Sequence, residues 1–131
     1  MTLFLDASAT VAMIAGESGA ESLAVRLDAD PDRIASPVSR WEAIVALRRS
    51  HRFDWSYAQK TVDDFLQDRN VRLVPIGEAE AMLATDAYVT YGKGQHPAKL
   101  NMGDCFAYAC AKSNAARLLY KGDDFARTDL A

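Results

Sequence analysis

Short strand-forming segments alternate with helix-forming segments along the whole chain. Strands are predicted at Thr2 to Leu5, Arg33 to Ser36, VRLVPI (71–76) and Arg117 to Tyr120. Helices are predicted at 7–15, 18–29, from Pro37 onward, 55–68, 78–91 and from Asp104 onward. Because parallel neighbouring strands need long crossover connections, this order predicts a mostly parallel central sheet with helices on both faces. The expected fold class is therefore a three-layer α/β/α arrangement.

The size of the chain and its charge limit what it can be. At 131 residues, half of them hydrophobic, it is expected to form a single domain spanning residues 1–131. Its apolar start lacks a basic leader and is interrupted by Asp6, and no run reaches the ~20 apolar residues of a membrane span, so we expect a cytoplasmic protein. A formal charge of −3 argues against coating nucleic acid through bulk electrostatics.

Acidic residues recur where predicted elements begin or end. Asp6 and the Asp123/Asp124 pair follow predicted strands, Glu42 lies in the helix that starts at Pro37, and Asp104 opens a very apolar helix. Any one of them, taken alone, is also explained as a helix cap or a first-turn acid. In parallel sheets, however, functional sites form beyond the carboxyl ends of the strands, where several of these acids are expected to meet.

A cluster of carboxylates limits the chemistry of such a site. Like charges destabilise the fold unless a cation lies between them. No comparable set of His, Cys or Lys accompanies the acids, and oxygen ligands suit Mg²⁺ or Mn²⁺ rather than zinc. Cys105 and Cys110 form no metal-binding pattern and are expected to be reduced core thiols.

Four segments of the chain resemble, in order, the acidic motifs of PIN domains in VapC toxins. The segments are FLDASA, SRWEAIVAL, LNMGDCFAYACAK and LLYKGDDFARTDL. The resemblance implies that Asp6, Glu42 and Asp104 are the three central catalytic and metal-binding acids. The fourth lies in the turn that contains Asp123 and Asp124; both are candidate metal ligands, and Asp123 is preferred as the catalytic one.

Ser8, two residues after Asp6, matches a hydroxyl group that is common near such sites, although it could equally cap the first helix. Arg40 and Lys121 lie beside acidic motifs and are candidates for contacting phosphate, with solvated surface residues as the alternative. Neither His51 nor His96 lies in an acidic motif, so a metal-free mechanism based on histidine has little support.

The resemblance implies a Mg²⁺- or Mn²⁺-dependent endoribonuclease that acts as the toxin of a type II toxin–antitoxin system. Its expected partners are an RNA substrate, with tRNA and rRNA as candidates, and a VapB-type antitoxin whose C-terminal tail covers the acidic site. A homodimer is also expected, from the resemblance together with the apolar residues of the first helices (Val11, Met13, Ile14 and Leu23), which exceed what one small domain obviously buries.

The alternative is a noncatalytic PIN-like or receiver-type module that binds a partner. A receiver domain would need an acidic pair after the first strand, where the sequence has only Asp6. A PIN-like module without activity would most simply lack one of the central acids, and all of them are present.

Overall fold

The computed structural model describes residues 1–131 and contains four strands and six helices in the alternating order expected. The strands are β1 (Thr2–Leu5), β2 (Asp32–Ala35), β3 (Val71–Leu73) and β4 (Ala116–Leu119). The helices are α1 (Ala7–Ala15), α2 (Ala20–Ala29), α3 (Pro37–His51), α4 (Trp55–Asp68), α5 (Glu78–Tyr91) and α6 (Met102–Ser113). None of these helices is long and apolar enough to cross a membrane.

The four strands form one parallel sheet in the order β3-β2-β1-β4. Alternating side chains of β1 supply both faces, since Leu3 and Leu5 belong to one hydrophobic cluster and Phe4 to the other. The first cluster packs α1 to α4 against the sheet, and the second packs α5 and α6. The expected three-layer α/β/α architecture with a parallel sheet is confirmed.

Several element boundaries differ from the sequence prediction. β2 and β4 each lie one residue earlier, and α2 begins at Ala20 rather than at residue 18. Two further differences have a clear physical reason. Strand β3 ends at Leu73 rather than continuing through VRLVPI, because it lies at the edge of the sheet and Pro75 cannot donate a backbone hydrogen bond. Helix α6 begins at Met102, with Asn101 as its N-cap, so Asp104 is the third residue of the helix rather than its cap. Both cysteines are buried and free, as expected.

The apolar residues of α1 and α2 are used inside the domain. Val11 and Leu23 are buried in the first hydrophobic cluster, and Met13 and Ile14 pack against it. Their apolar character therefore no longer argues for a dimer. On α3, by contrast, the large apolar side chain of Trp41 is 58 % exposed.

Helix α3, which carries Glu42, is held against α1 and α4 by buried side chains, among which Leu47 has no exposed surface. We expect Leu47→Ala to lower the free energy of unfolding by about 2–5 kcal/mol, because it removes packed methyl groups and leaves a cavity. Val25→Ala, at a position that is 71 % exposed, is the matched control and should change it by less than about 0.5 kcal/mol. Urea denaturation measures both, and equal effects would contradict this packing.

Candidate active site

Four acidic side chains line one cavity at the carboxyl edge of the sheet. The cavity has a volume of about 450 Å³, and the acids are Asp6, Glu42, Asp104 and Asp124. The parallel topology brings them together. β1 and β4 are neighbours whose carboxyl ends meet, and α6, which leads back into β4, begins at that same edge.

Asp6 both caps a helix and faces the cavity. Its Oδ2 accepts hydrogen bonds from the backbone N–H of Ser8, at 3.1 Å, and from the Ser8 hydroxyl, at 2.5 Å, which fixes the start of α1. Its own N–H donates to the carbonyl of Leu119 at the end of β4. The other carboxylate oxygen, Oδ1, accepts no hydrogen bond from a side chain. Capping and site formation are therefore compatible functions of one residue.

Asp104 divides its two oxygens in the same way. Its Oδ2 accepts a hydrogen bond from the N–H of Asn101, at 3.1 Å, while Asn101 Oδ1 accepts one from the N–H of Asp104, at 2.9 Å. This reciprocal capping box satisfies two N–H groups that the first turn of α6 would otherwise leave unpaired. The second oxygen of Asp104 has no protein partner.

Glu42 is half-buried and accepts no hydrogen bond. Its carboxylate lies directly against Gly103 in the first turn of α6, where an added Cβ would come within 1.7 Å of Glu42 Oε2. A larger residue at this position would displace the glutamate carboxylate from its place against α6. Gly103 is thus a site residue whose role depends on a contact with a distant helix, so no local pattern indicates it.

The fourth acid of the cavity is Asp124, and the preference for Asp123 is not supported by the geometry. Both aspartates of the turn are exposed, but Asp124 lines the cavity and Asp123 does not. Adjacent residues in a turn point in different directions, and this turn is held by Phe125, whose side chain is buried in the core. Gly122, at a φ of +99°, supplies a backbone conformation that other residues rarely adopt. Asp124 then points toward the other acids.

Burial and mutual repulsion make the ionised state of this cluster unfavourable. Burial, followed by the charges of Asp6 and Asp104, raises the pKa of Glu42 to about 7. Burial, with the charges of Asp124 and Asp6, raises the pKa of Asp104 to about 7, although the Asn101 hydrogen bond opposes this. The pKa of Asp6 is also raised, mainly by burial. A positive charge bound between these carboxylates would lower their pKa values again.

The donor set fits a hard divalent cation. Every buried side-chain nitrogen or oxygen atom has a partner, so the unpaired oxygens of the acids remain accessible from the cavity. No three His, Cys, Asp or Glu side chains are arranged as a ready-made shell around one ion. This open arrangement suits Mg²⁺, which usually keeps several water ligands and takes only one or two carboxylates.

Basic residues near the acids are distributed unevenly. Arg40 forms two hydrogen bonds to Asp63, which joins α3 to α4, and it does not line the cavity. Lys121 does line it, together with Glu17, with which it forms an ion pair at 2.9 Å. Glu17 was not identified from the sequence, because it lies in a turn outside the acidic motifs and its partners are 34 and 104 residues away.

Two solved structures share this fold. Mycobacterium tuberculosis VapC20, described as a toxin that cleaves the sarcin–ricin loop, superposes with a TM-score of 0.69 at 18% identity over 95% of this chain and 92% of its own. A toxin–antitoxin complex from Klebsiella pneumoniae gives a TM-score of 0.69 at 19% identity, over 99% and 94% of the two chains. At this level of identity the likeness concerns the fold.

Sequence relatives are closer. The VapC ribonuclease R02377 of Rhizobium meliloti (strain 1021) is 43% identical over 97% of this chain and 98% of its own length. Ribonuclease VapC30 of Mycobacterium tuberculosis (strain H37Rv) is 40% identical over 98% and 96%. Residues 3–130 match the PIN domain family. The chain therefore belongs to the PIN domain family and, within it, to the VapC ribonucleases.

Proposed function

We propose that this protein is a Mg²⁺- or Mn²⁺-dependent endoribonuclease and the toxin of a type II toxin–antitoxin pair. The observation that carries the proposal is the convergence of Asp6, Glu42, Asp104 and Asp124 on one cavity, with oxygens that have no protein partner. Relatives that are 36–43% identical over nearly the whole chain carry the name VapC ribonuclease or ribonuclease VapC.

The acids would hold the cation, with Asp6 and Asp104 as its most rigid ligands. Each uses Oδ2 to fix its own helix and leaves Oδ1 for the ion. Glu42 and Asp124 contribute charge and, directly or through water, further oxygen ligands. A bound divalent cation would lower the pKa of a water molecule for attack on the phosphodiester and offset the charge that develops on the phosphate.

The same cavity accounts for the proposed partners. Four carboxylates repel RNA unless their charge is offset, so substrate binding would depend on the cation as well as on nearby lysine. An antitoxin segment that brings a positive charge into the cavity would compete with the cation and the substrate. A homodimer remains a prediction from the family resemblance.

A noncatalytic module that binds a partner is the second candidate. Its role would require the fold but not the unpaired carboxylate oxygens of the acids that line the cavity. Substitutions that keep the fold and change only these oxygens distinguish the two functions.

We expect Asp6→Asn, Asp104→Asn and Asp124→Asn each to lower RNA cleavage at least 100-fold while the protein stays folded, because each removes a negative charge from the cation site. Asn caps a helix about as well as Asp, so the start of α1 should be retained in the Asp6 variant. Cleavage of labelled RNA with MnCl₂ and the melting temperature measure the two effects.

Asp123→Asn is the matched control, since it makes the same change one residue away from Asp124 and outside the cavity. It should cleave RNA at the wild-type rate. Loss of cleavage in the Asp123 variant with full activity of the Asp124 variant would reverse our assignment of the fourth acid. Full activity of the Asp6 or Asp104 variant, or of wild type in excess EDTA, would contradict the metal-nuclease proposal.

The cation should stabilise the protein more at about pH 8 than at about pH 5. The pKa values of Glu42 and Asp104 are about 7 in the folded protein and near 4 when unfolded, so folding takes up protons. Without metal, stability should therefore fall as the pH rises from about 4 to about 7. A cation binds the ionised carboxylates of the native state and offsets this loss.

The measurement is the melting temperature with EDTA and with millimolar MgCl₂ at both pH values. Glu42→Gln removes one of the two groups and should reduce the pH dependence of the metal-free protein. An increase in melting temperature with MgCl₂ that is equal at both pH values, or absent, would show that the cation does not bind these acids.

A further inference from the structure

One positively charged side chain, Lys121, lines the acidic cavity, and hydrogen bonds hold the residue in place at two points. It is the only Lys or Arg among the eleven residues that line the cavity. Its backbone N–H donates to the Ser8 hydroxyl at 3.0 Å, and its Nζ donates to Glu17 Oε1 at 2.9 Å. Lys121 is therefore held both at its backbone and at the tip of its side chain.

Glu17 is itself fixed by a second partner. Its other oxygen, Oε2, lies 2.8 Å from Nε2 of His51, the last residue of α3. Hydrogen bonds from Lys121 and His51 lower the pKa of Glu17, so it stays ionised at neutral pH. The row His51, Glu17 and Lys121 joins the end of α3, the turn after α1 and the segment after β4.

The row is also connected to the acids. The hydroxyl of Ser8 accepts from the Lys121 N–H and donates to Asp6 Oδ2, so a single side chain sets the position of Lys121 relative to Asp6. A lysine ammonium has three N–H donors, and Glu17 uses one of them. The remaining donors are free for an anion beside the four carboxylates.

We propose that Lys121 binds a non-bridging oxygen of the RNA phosphate in this cavity and that Glu17, held by His51, is a positioning residue for it. The inference rests on the proposed ribonuclease function and adds the group that receives the phosphate. A compact ammonium aimed at one place is a suitable contact for a phosphate oxygen.

A purely structural role would give the Lys121–Glu17 ion pair little effect on the stability of the protein. Lys121 and Glu17 are both partly exposed, and ion pairs of this kind contribute little to stability. The row also places the Lys121 ammonium among carboxylates, where the RNA is proposed to enter. Joining three segments of the chain does not require a positive charge at this place.

The test is a double-mutant cycle of Lys121→Met and Glu17→Gln, with steady-state cleavage of one labelled RNA oligonucleotide that wild type cleaves. Lys121→Met should lower kcat/KM about 10- to 100-fold, the range for loss of a hydrogen bond to a charged group. Lys121→Arg should recover most of it. Glu17→Gln should lower kcat/KM in the wild-type background but not further in the Lys121→Met background, because it acts through Lys121.

Lys60→Met is the matched control, since Lys60 forms an exposed ion pair with Asp64 on α4, away from the cavity. It should leave kcat/KM unchanged. Melting temperatures of all variants should stay near that of wild type, and if Lys121→Met does not fold, Glu17→Gln decides alone: reduced kcat/KM with an unchanged melting temperature supports the inference, and wild-type kinetics overturn it.

Wild-type kinetics of Lys121→Met, or losses that add in the double variant, would overturn the inference while leaving the ribonuclease proposal intact. A wild-type protein that cleaves no RNA with MnCl₂ would contradict the ribonuclease function, and this inference with it.

Discussion

Repulsion between carboxylates that the fold forces together is the constraint on which the rest of the site depends. The parallel order of β1 and β4 and the start of α6 at the same edge bring the acids to one place. Burial then removes the water that would screen them, and the pKa values of Glu42 and Asp104 rise to about 7. A divalent cation offsets both the repulsion between the carboxylates and the cost of burying their charge. The cluster is therefore interpreted as a cation site rather than as a set of surface acids.

Two of these acids also build the scaffold that holds them. Asp6 caps α1 and Asp104 forms the capping box of α6, each with one oxygen. A carboxylate held in this way has a fixed direction, so its second oxygen is presented to the cavity without further loss of conformational freedom. Asp6 is both a helix cap and a site residue, because each of its two carboxylate oxygens serves one of these functions.

The sequence predicted what depends on local pattern and missed what depends on distant contacts. Alternating segments gave the element order, and α1, α4 and α5 have the predicted bounds. The choice between Asp123 and Asp124 depends on how Phe125 anchors the turn, and the exposure of Trp41 depends on which face of α3 packs against α1 and α4. The contacts of Glu17 with His51 and Lys121 span 34 and 104 residues, so no local sequence motif predicts them.

Diffraction from crystals soaked in MnCl₂ decides whether the four acids hold a divalent cation. At about pH 8, above the raised pKa of about 7 that Glu42 and Asp104 share, we expect an anomalous-scattering peak in the cavity, within bonding distance of Asp6 or Asp104 and close to Glu42 and Asp124. Mn²⁺ bound elsewhere on the protein, with no peak among these acids, would contradict the account.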